Sequence, residues 1–368
     1  MGRLMRAKDW RGSGLGMPAS WPASTKTAVS ICLNSLFPMI LWLGPELRIV
    51  YNDAYIPFLG HAKHPRVLGL PGKDAWSEIW SSIAPLHARV YAGQAVSVED
   101  SVFFFNRHCT REEVYVTFSY SPILSADGDV EGVFCACTET TGKIVAARRL
   151  ETLHTIGARA LGARNVADAC VAAAVALVGN TFDLPFAAIY LLDDERRAAV
   201  RVAGTGLDPS PLPERVHPDG PSWLDRAMHD ALSGAPTEVV DVPPDERLRG
   251  GPWDDEIKQA VVVPITGSSN APVALLVAGV STRRPLDSDY AHFYGLLAGH
   301  VSKAIVDGQA YDVERRRAET LAEIDQAKTV FFPTSATSSV RRSPCCSDRW
   351  NAFWAAWRWT TPCASRST

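Results

Sequence analysis

No stretch of this sequence stays apolar long enough to cross a bilayer. The longest such run, APVALLVAGV at residues 271–280, is about half the roughly 20 residues a spanning helix needs. The first residues, MGRLMRAKDW, have no apolar centre of the kind a secretory leader carries, so a cytoplasmic chain with no membrane partner is expected. A strong charge of either sign is also missing. The net charge is −3, from 37 basic and 40 acidic residues that are interleaved, which leaves no basic field for nucleic acid or anionic lipid. Small ligands and protein partners are the classes left. Cys32, Cys109, Cys135, Cys137 and Cys170 lack CxxC spacing, which argues against a zinc site and against a disulfide framework.

What is present divides into two units, as 368 residues suggest when roughly 150 residues make a domain. Residues 1–25, rich in Gly, Pro and Trp, suit an irregular cap anchored by Trp10 and Trp21. A helical stretch leads to β-like FPMILWL, the turn Gly44-Pro45 and LRIVY. Asn52 then stands where a helix N-cap belongs. Residues 71–80 and 83–91 look helical, and strands resume at 96–105, 113–121 and 130–138, the last two joined by a turn at Ala126-Asp127-Gly128-Asp129. A five-stranded sheet with helices over one face is expected. The second unit opens with helical 148–160 and 165–178, continues through strands at 186–192, 198–203, 260–265 and 273–280, and closes on a helix at 288–309. The fold class is α+β: two antiparallel-sheet domains joined by helices.

Residues 26–145 resemble a PAS domain, on FPMILWLGPELRIVYNDAY and the closing FSYSPILSADGDVEGVFCACTETT. Residues 146–310 resemble a GAF domain, on PFAAIYLLDD, KQAVVVPITGSSNAPVALLVAGVST and the bracketing helices. The tract SWPASTKTAVSICLNSLFPMILW is similar to the start of soluble hybrid histidine kinases with the order PAS, GAF, kinase. That resemblance implies a sensory role in a two-component phosphorelay, with a small-molecule signal and, in a full-length parent, a response regulator as partner.

Residues 311–332, YDVERRRAETLAEIDQAKTVFF, contain neither Gly nor Pro. Leu321, Ile324 and Phe331 fall near a 3.5-residue spacing, so a parallel coiled coil joining two copies of the chain is expected. Glu314, Arg317 and Lys328 interrupt the stripe, and a single amphipathic helix is the plainer alternative. In histidine kinases a similar tract enters the dimerisation helix, where a motif like SNVSHEFRTPLT supplies the phosphate-accepting histidine. Here Pro333 follows Phe332, Thr337 stands at the histidine's place, and no histidine occurs after His300. With one T restored before a CCA codon for Pro333, codons that the observed residues permit regroup into TCC AAC GTC AGC CAC GAG TTC CGT ACG CCG, which would spell Ser-Asn-Val-Ser-His-Glu-Phe-Arg-Thr-Pro. Residues 333–368 are therefore expected to be a frameshifted, disordered tail. They hold four of the eleven Trp and three of the eight Cys, with five Arg and one acidic residue. A threonine hydroxyl has no basic nitrogen to carry the phosphoryl group, so the chain alone is expected not to be an enzyme.

The PAS resemblance directs the search for a site to an enclosed pocket. Candidate lining residues are Trp42, Tyr51, Tyr55, Phe58, Trp76, Trp80, Phe118 and Tyr120, which would also serve as ordinary core. No cofactor is identifiable. The flavin-attachment motif of photoreceptor PAS domains is absent, as is a bilin-attaching cysteine in the GAF part, and cyclic-nucleotide binding has no distinctive motif here. His61, His64 and the pair His108-Cys109 read as solvated loop residues, so no metal is expected. Cys135 and Cys137, on one strand face, read as small buried hydrophobes, and Asp254, Asp255 and Glu256 as a solvated face. Two other functions remain open: a stand-alone ligand-binding regulator that pairs with another protein, and the regulatory half of an effector such as a diguanylate cyclase or a phosphatase.

Overall fold

The structure is a computed structural model. It describes residues 1–331 except 108–110, 194, 208–210, 234–237 and 270. Thr337, the expected tail at 333–368 and the pair His108-Cys109 lie outside the described residues, as does the side chain of Phe331.

The chain begins with a short helix, α1 (Gly2–Ala7), where an irregular cap was expected throughout. Trp10 and Trp21 are buried and meet edge to face at 5.2 Å. Their indole N–H groups donate to the carbonyls of Met5 and of Leu15 and Gly16, so the cap is held by rings whose polar tips are satisfied internally. Helix α2 (Ala23–Asn34) leads into β1 (Met39–Leu43) and β2 (Arg48–Tyr51). Asn52 does more than cap. Its side-chain oxygen accepts from Tyr55 N–H at 3.0 Å and Met39 N–H at 3.1 Å, while its amide donates to the carbonyls of Ser35 and Phe37. One buried side chain thus ties the helix start to the strand pair before it.

Three helices cover the sheet: α3 (Ile56–Lys63), α4 (Gly72–Ala75) and α5 (Trp80–Tyr91). The helix expected over 71–80 is only the four residues of α4. Trp76 leaves helical geometry and turns its ring into the core, where it is fully buried, because burying an indole outweighs local propensity. The sheet is completed by β3 (Val96–Asn106), β4 (Arg111–Leu124) and β5 (Val130–Glu139) in the order β2-β1-β5-β4-β3, all antiparallel. In the β4–β5 turn, Gly128 takes φ +91° and the Ser125 hydroxyl accepts from the amides of Asp127 and Asp129, as the sequence ADGD suggested.

Helix α6 (Thr141–Ala160) starts directly after β5, earlier than residue 148, and α7 (Val166–Leu177) follows. The second sheet contains β6 (Ala187–Leu192), β7 (Ala199–Thr205), the short β8 (Arg215–Val216), and, after α8 (Trp223–Leu232), β9 (Glu238–Asp241). A two-stranded ribbon, β10 (Arg249–Gly250) with β11 (Asp255–Glu256), precedes β12 (Gln259–Thr266) and β13 (Pro272–Gly279). The order is β8-β7-β6-β13-β12-β9. Val261, Val263, Leu276 and Ala278 pack under α6, α7 and the last helix, while Ala260, Val262, Leu275 and Val277 join Trp223 and Met228 of α8 on the other face. Strands buried on both faces read as continuous apolar runs. The final helix, α9 (Ser288–Phe331), is 44 residues long. Its first part belongs to the compact unit Met1–Val313. From Glu314 the chain forms a separate unit, in which Leu321 is 66% and Ile324 48% exposed. No described helix is long and apolar enough to cross a membrane.

Candidate functional site

The first sheet curls around a small cavity of about 30 Å³, room for about one water molecule. Ile40 and Trp42 reach it from β1, Tyr55 from the turn into α3, Phe58 from α3 itself, and Trp76, Ile79 and Ile83 from the α4–α5 region. Phe103 and Phe105 of β3, Val116, Phe118 and Tyr120 of β4, and Cys135 and Cys137 of β5 close it. The even spacing follows from the strand period, since residues two apart share a face.

Six of the eight residues singled out by aromatic type meet at this cavity: Trp42, Tyr55, Phe58, Trp76, Phe118 and Tyr120. Tyr51 and Trp80 do not line it. Tyr51 lies on the edge strand β2 and its hydroxyl bonds His64 Nδ1 at 3.0 Å, so His64 is a structural partner and not a solvated loop residue. Trp80 stands one layer back, stacked on His87 with ring centres 5.9 Å apart. Phe103 and Phe105 were missed because the run FFF hides its own alternation; counting in twos across the strand pairs from Phe118 and Cys137 would have found them.

His87, which nothing in the sequence marked, is the unusual group. It is 2% exposed, stacks on Tyr120 at 4.6 Å and meets the edge of Trp42 at 4.6 Å. Neither ring nitrogen has a hydrogen-bond partner among the described residues, and the same holds for the indole nitrogens of Trp42 and Trp76. Burying such groups unpaired costs about 1–3 kcal/mol each. Burial also lowers the His87 pKa to about 4, because the charged imidazolium has no solvation there, so the ring is neutral at physiological pH. The cavity wall therefore carries the unpaired indole donors of Trp42 and Trp76, with the neutral imidazole of His87 packed behind Trp42 and Tyr120.

Burial acts the same way on the Cys32 and Cys135 thiols, raising both. Cys32, Cys135 and Cys137 are buried and free, and burial, with a smaller effect from Cys137, raises the Cys32 thiol to about 12. A protonated thiol is a poor nucleophile. No group of three His, Cys, Asp or Glu suited to a metal ion exists among the described residues. In the second domain, the space between the sheet and α8 is filled by Phe186, Tyr190, Trp223 and Met228, and its Cys170 is buried on α7. Asp255 is a correction to the sequence reading: it accepts from both ends of the Arg283 guanidinium, at 2.6 and 2.8 Å, and does not belong to a solvated acidic face.

Residues 33–144 match the PAS fold family and residues 160–306 the GAF domain family. Among solved structures, the chain is similar to the free methionine-R-sulfoxide reductase of Neisseria meningitidis in complex with its substrate (20% identity, 45% of this chain and 92% of that one, TM-score 0.34). It is also similar to the GAF domain of a phosphoenolpyruvate-protein phosphotransferase from Coxiella burnetii (16%, 46% and 98%, TM-score 0.34), and to the phycoerythrobilin-bound GAF domain of a cyanobacterial phytochrome (18%, 44% and 95%, TM-score 0.32). No curated protein matches. The fold and its two domains define a signal-sensing regulatory module. Its particular form is a PAS domain followed by a GAF domain, with a long helix leaving the second.

Proposed function

We infer that this chain is the sensory front of a two-component histidine kinase, reading a small molecule through its PAS domain and passing the result along α9 as a dimer. The observation that carries the sensory part is the aromatic PAS cavity, which a ligand larger than a water must widen, with unpartnered polar atoms at and behind its wall. The kinase parentage rests on the tract EIDQAKTVFF and on codons, permitted by the residues from Pro333 onward, that a one-base restoration would regroup into a phosphoacceptor motif. With Thr337 in place of that histidine, residues 1–368 carry out no phosphotransfer from ATP.

The test is to restore one base before codon 333, express the reopened frame, and incubate both proteins with radiolabelled ATP. Acid-labile label on the restored protein and none on the 368-residue chain is the expected result. A gene whose codon order does not permit the regrouping, or a reopened frame with no label, removes the kinase parentage and leaves a ligand-binding regulator of another effector.

A further inference from the structure

The PAS and GAF domains are joined by a contact that a sensory reading does not by itself require. Strands β3 and β4 form a hairpin at the open edge of the PAS sheet. Because successive strand residues face opposite sides, Phe103, Phe105, Val116 and Phe118 line the cavity, while Phe104 and its cross-strand partner Glu113 meet the GAF domain. Phe104 meets Trp253 edge-on at 5.0 Å, and the Arg283 guanidinium lies 5.2 Å from its ring. The Glu113 N–H donates to the Arg283 carbonyl at 3.0 Å.

The charged half of the contact is buried. Arg148 of α6 donates through Nη1 to Glu113 and through Nε to Asp183, both at 2.8 Å, and both carboxylates are 0% exposed. Arg149 donates to the same Asp183 carboxylate at 3.3 Å and lies over the Tyr290 ring at 4.4 Å. The hydroxyls of Tyr290 and Tyr294 donate to the Asp183 carbonyl. Both tyrosines lie in the first turns of α9. A buried triad of this kind has no cheap half-broken state, since losing one partner strands a charge; it moves as a unit or switches.

We propose that the β3–β4 hairpin couples the state of the PAS cavity to the GAF domain and the start of α9, with Arg148 as the shared node. Its biological use rests on the sensory reading above; the coupling does not, and is measured without a ligand. Hydrogen exchange is followed on the full chain carrying Ile83→Ala, which enlarges the cavity from the side opposite the hairpin, or the milder Ile83→Val if the first does not fold. Amides in 181–184, 251–256 and 288–297 are expected to change their exchange rates about fivefold or more. In a Phe104→Leu, Glu113→Gln background the same cavity change should alter PAS amides alone. Unchanged GAF amides with the contact intact, or equal changes with it cut, overturn the proposal. Failure to find any ligand for the cavity would defeat the sensory reading and leave this result standing.

Discussion

His87 shows how a single residue sets a pH response. In the unfolded chain its imidazole protonates near the usual 6.5, but in the fold only near about 4. Between these values the unfolded state binds more protons, so stability rises with pH across that window and is fully present above 6.5. Lowering the pH from 7 to 4 should therefore cost about 3 kcal/mol through this group. His87→Phe should flatten that slope in urea titrations taken at several pH values, with little loss at pH 7, because no hydrogen bond is removed. An unchanged slope would mean that His87 is not the group responsible. Gly60 is fixed by a different constraint. It takes φ +62°, and a Cβ there would lie 2.4 Å from the Arg107 carbonyl oxygen. Gly60→Ala should destabilise the PAS domain by about 1–3 kcal/mol, read as a lower denaturant midpoint with an unchanged m-value.

At the scale of elements, what could be read from the sequence was what local chemistry dictates. Asn52 and the ADGD turn were legible because capping and positive φ leave fixed residue types behind, and the runs of β12 and β13 because both faces are buried. What could not be read was set by packing across the chain. Nothing in residues 71–80 says that Trp76 will abandon a helix for the core, and aromatic type alone cannot separate Trp42, at the cavity, from Trp80, one layer behind. Asp255 looked solvated because its partner Arg283 is remote in sequence. The stripe in α9 is the reverse case, local and plain, with Leu321 and Ile324 exposed and a partner copy expected to cover them. Replacing both with Glu should convert a dimer to a monomer in sedimentation equilibrium and leave the melting of the Met1–Val313 unit unchanged. A wild-type chain that is already monomeric at tens of micromolar would rule out that stripe as a dimer seam.

At the scale of the molecule, the two domains have separate apolar cores, and the contact between them described above combines the buried Glu113–Arg148 ion pair with the contacts of Arg283 to the Phe104 ring and the Glu113 N–H. On each side of it an ion pair within one domain stands close by, Arg107 with Glu139 in the PAS domain and Arg283 with Asp255 in the GAF domain. Burial alone would raise the carboxyl pKa values of Glu139 and Asp255, but hydrogen bonds and charge from Arg107 and Arg283 outweigh it and hold both below their ordinary range. A depressed carboxyl contributes stability that is present above its unfolded value, about 4, and lost as pH falls through the lower folded value. The His87 window lies above that range and acts on the PAS core only, so the two effects separate along the pH axis. Calorimetry should show one transition at pH 7, a lower but still single transition near pH 5, and two below about pH 4, where Glu139 and Asp255 no longer hold Arg107 and Arg283 in place beside the contact and each core melts alone. Two transitions already at pH 7 would show that the ionic contact does not bind the domains into one cooperative unit.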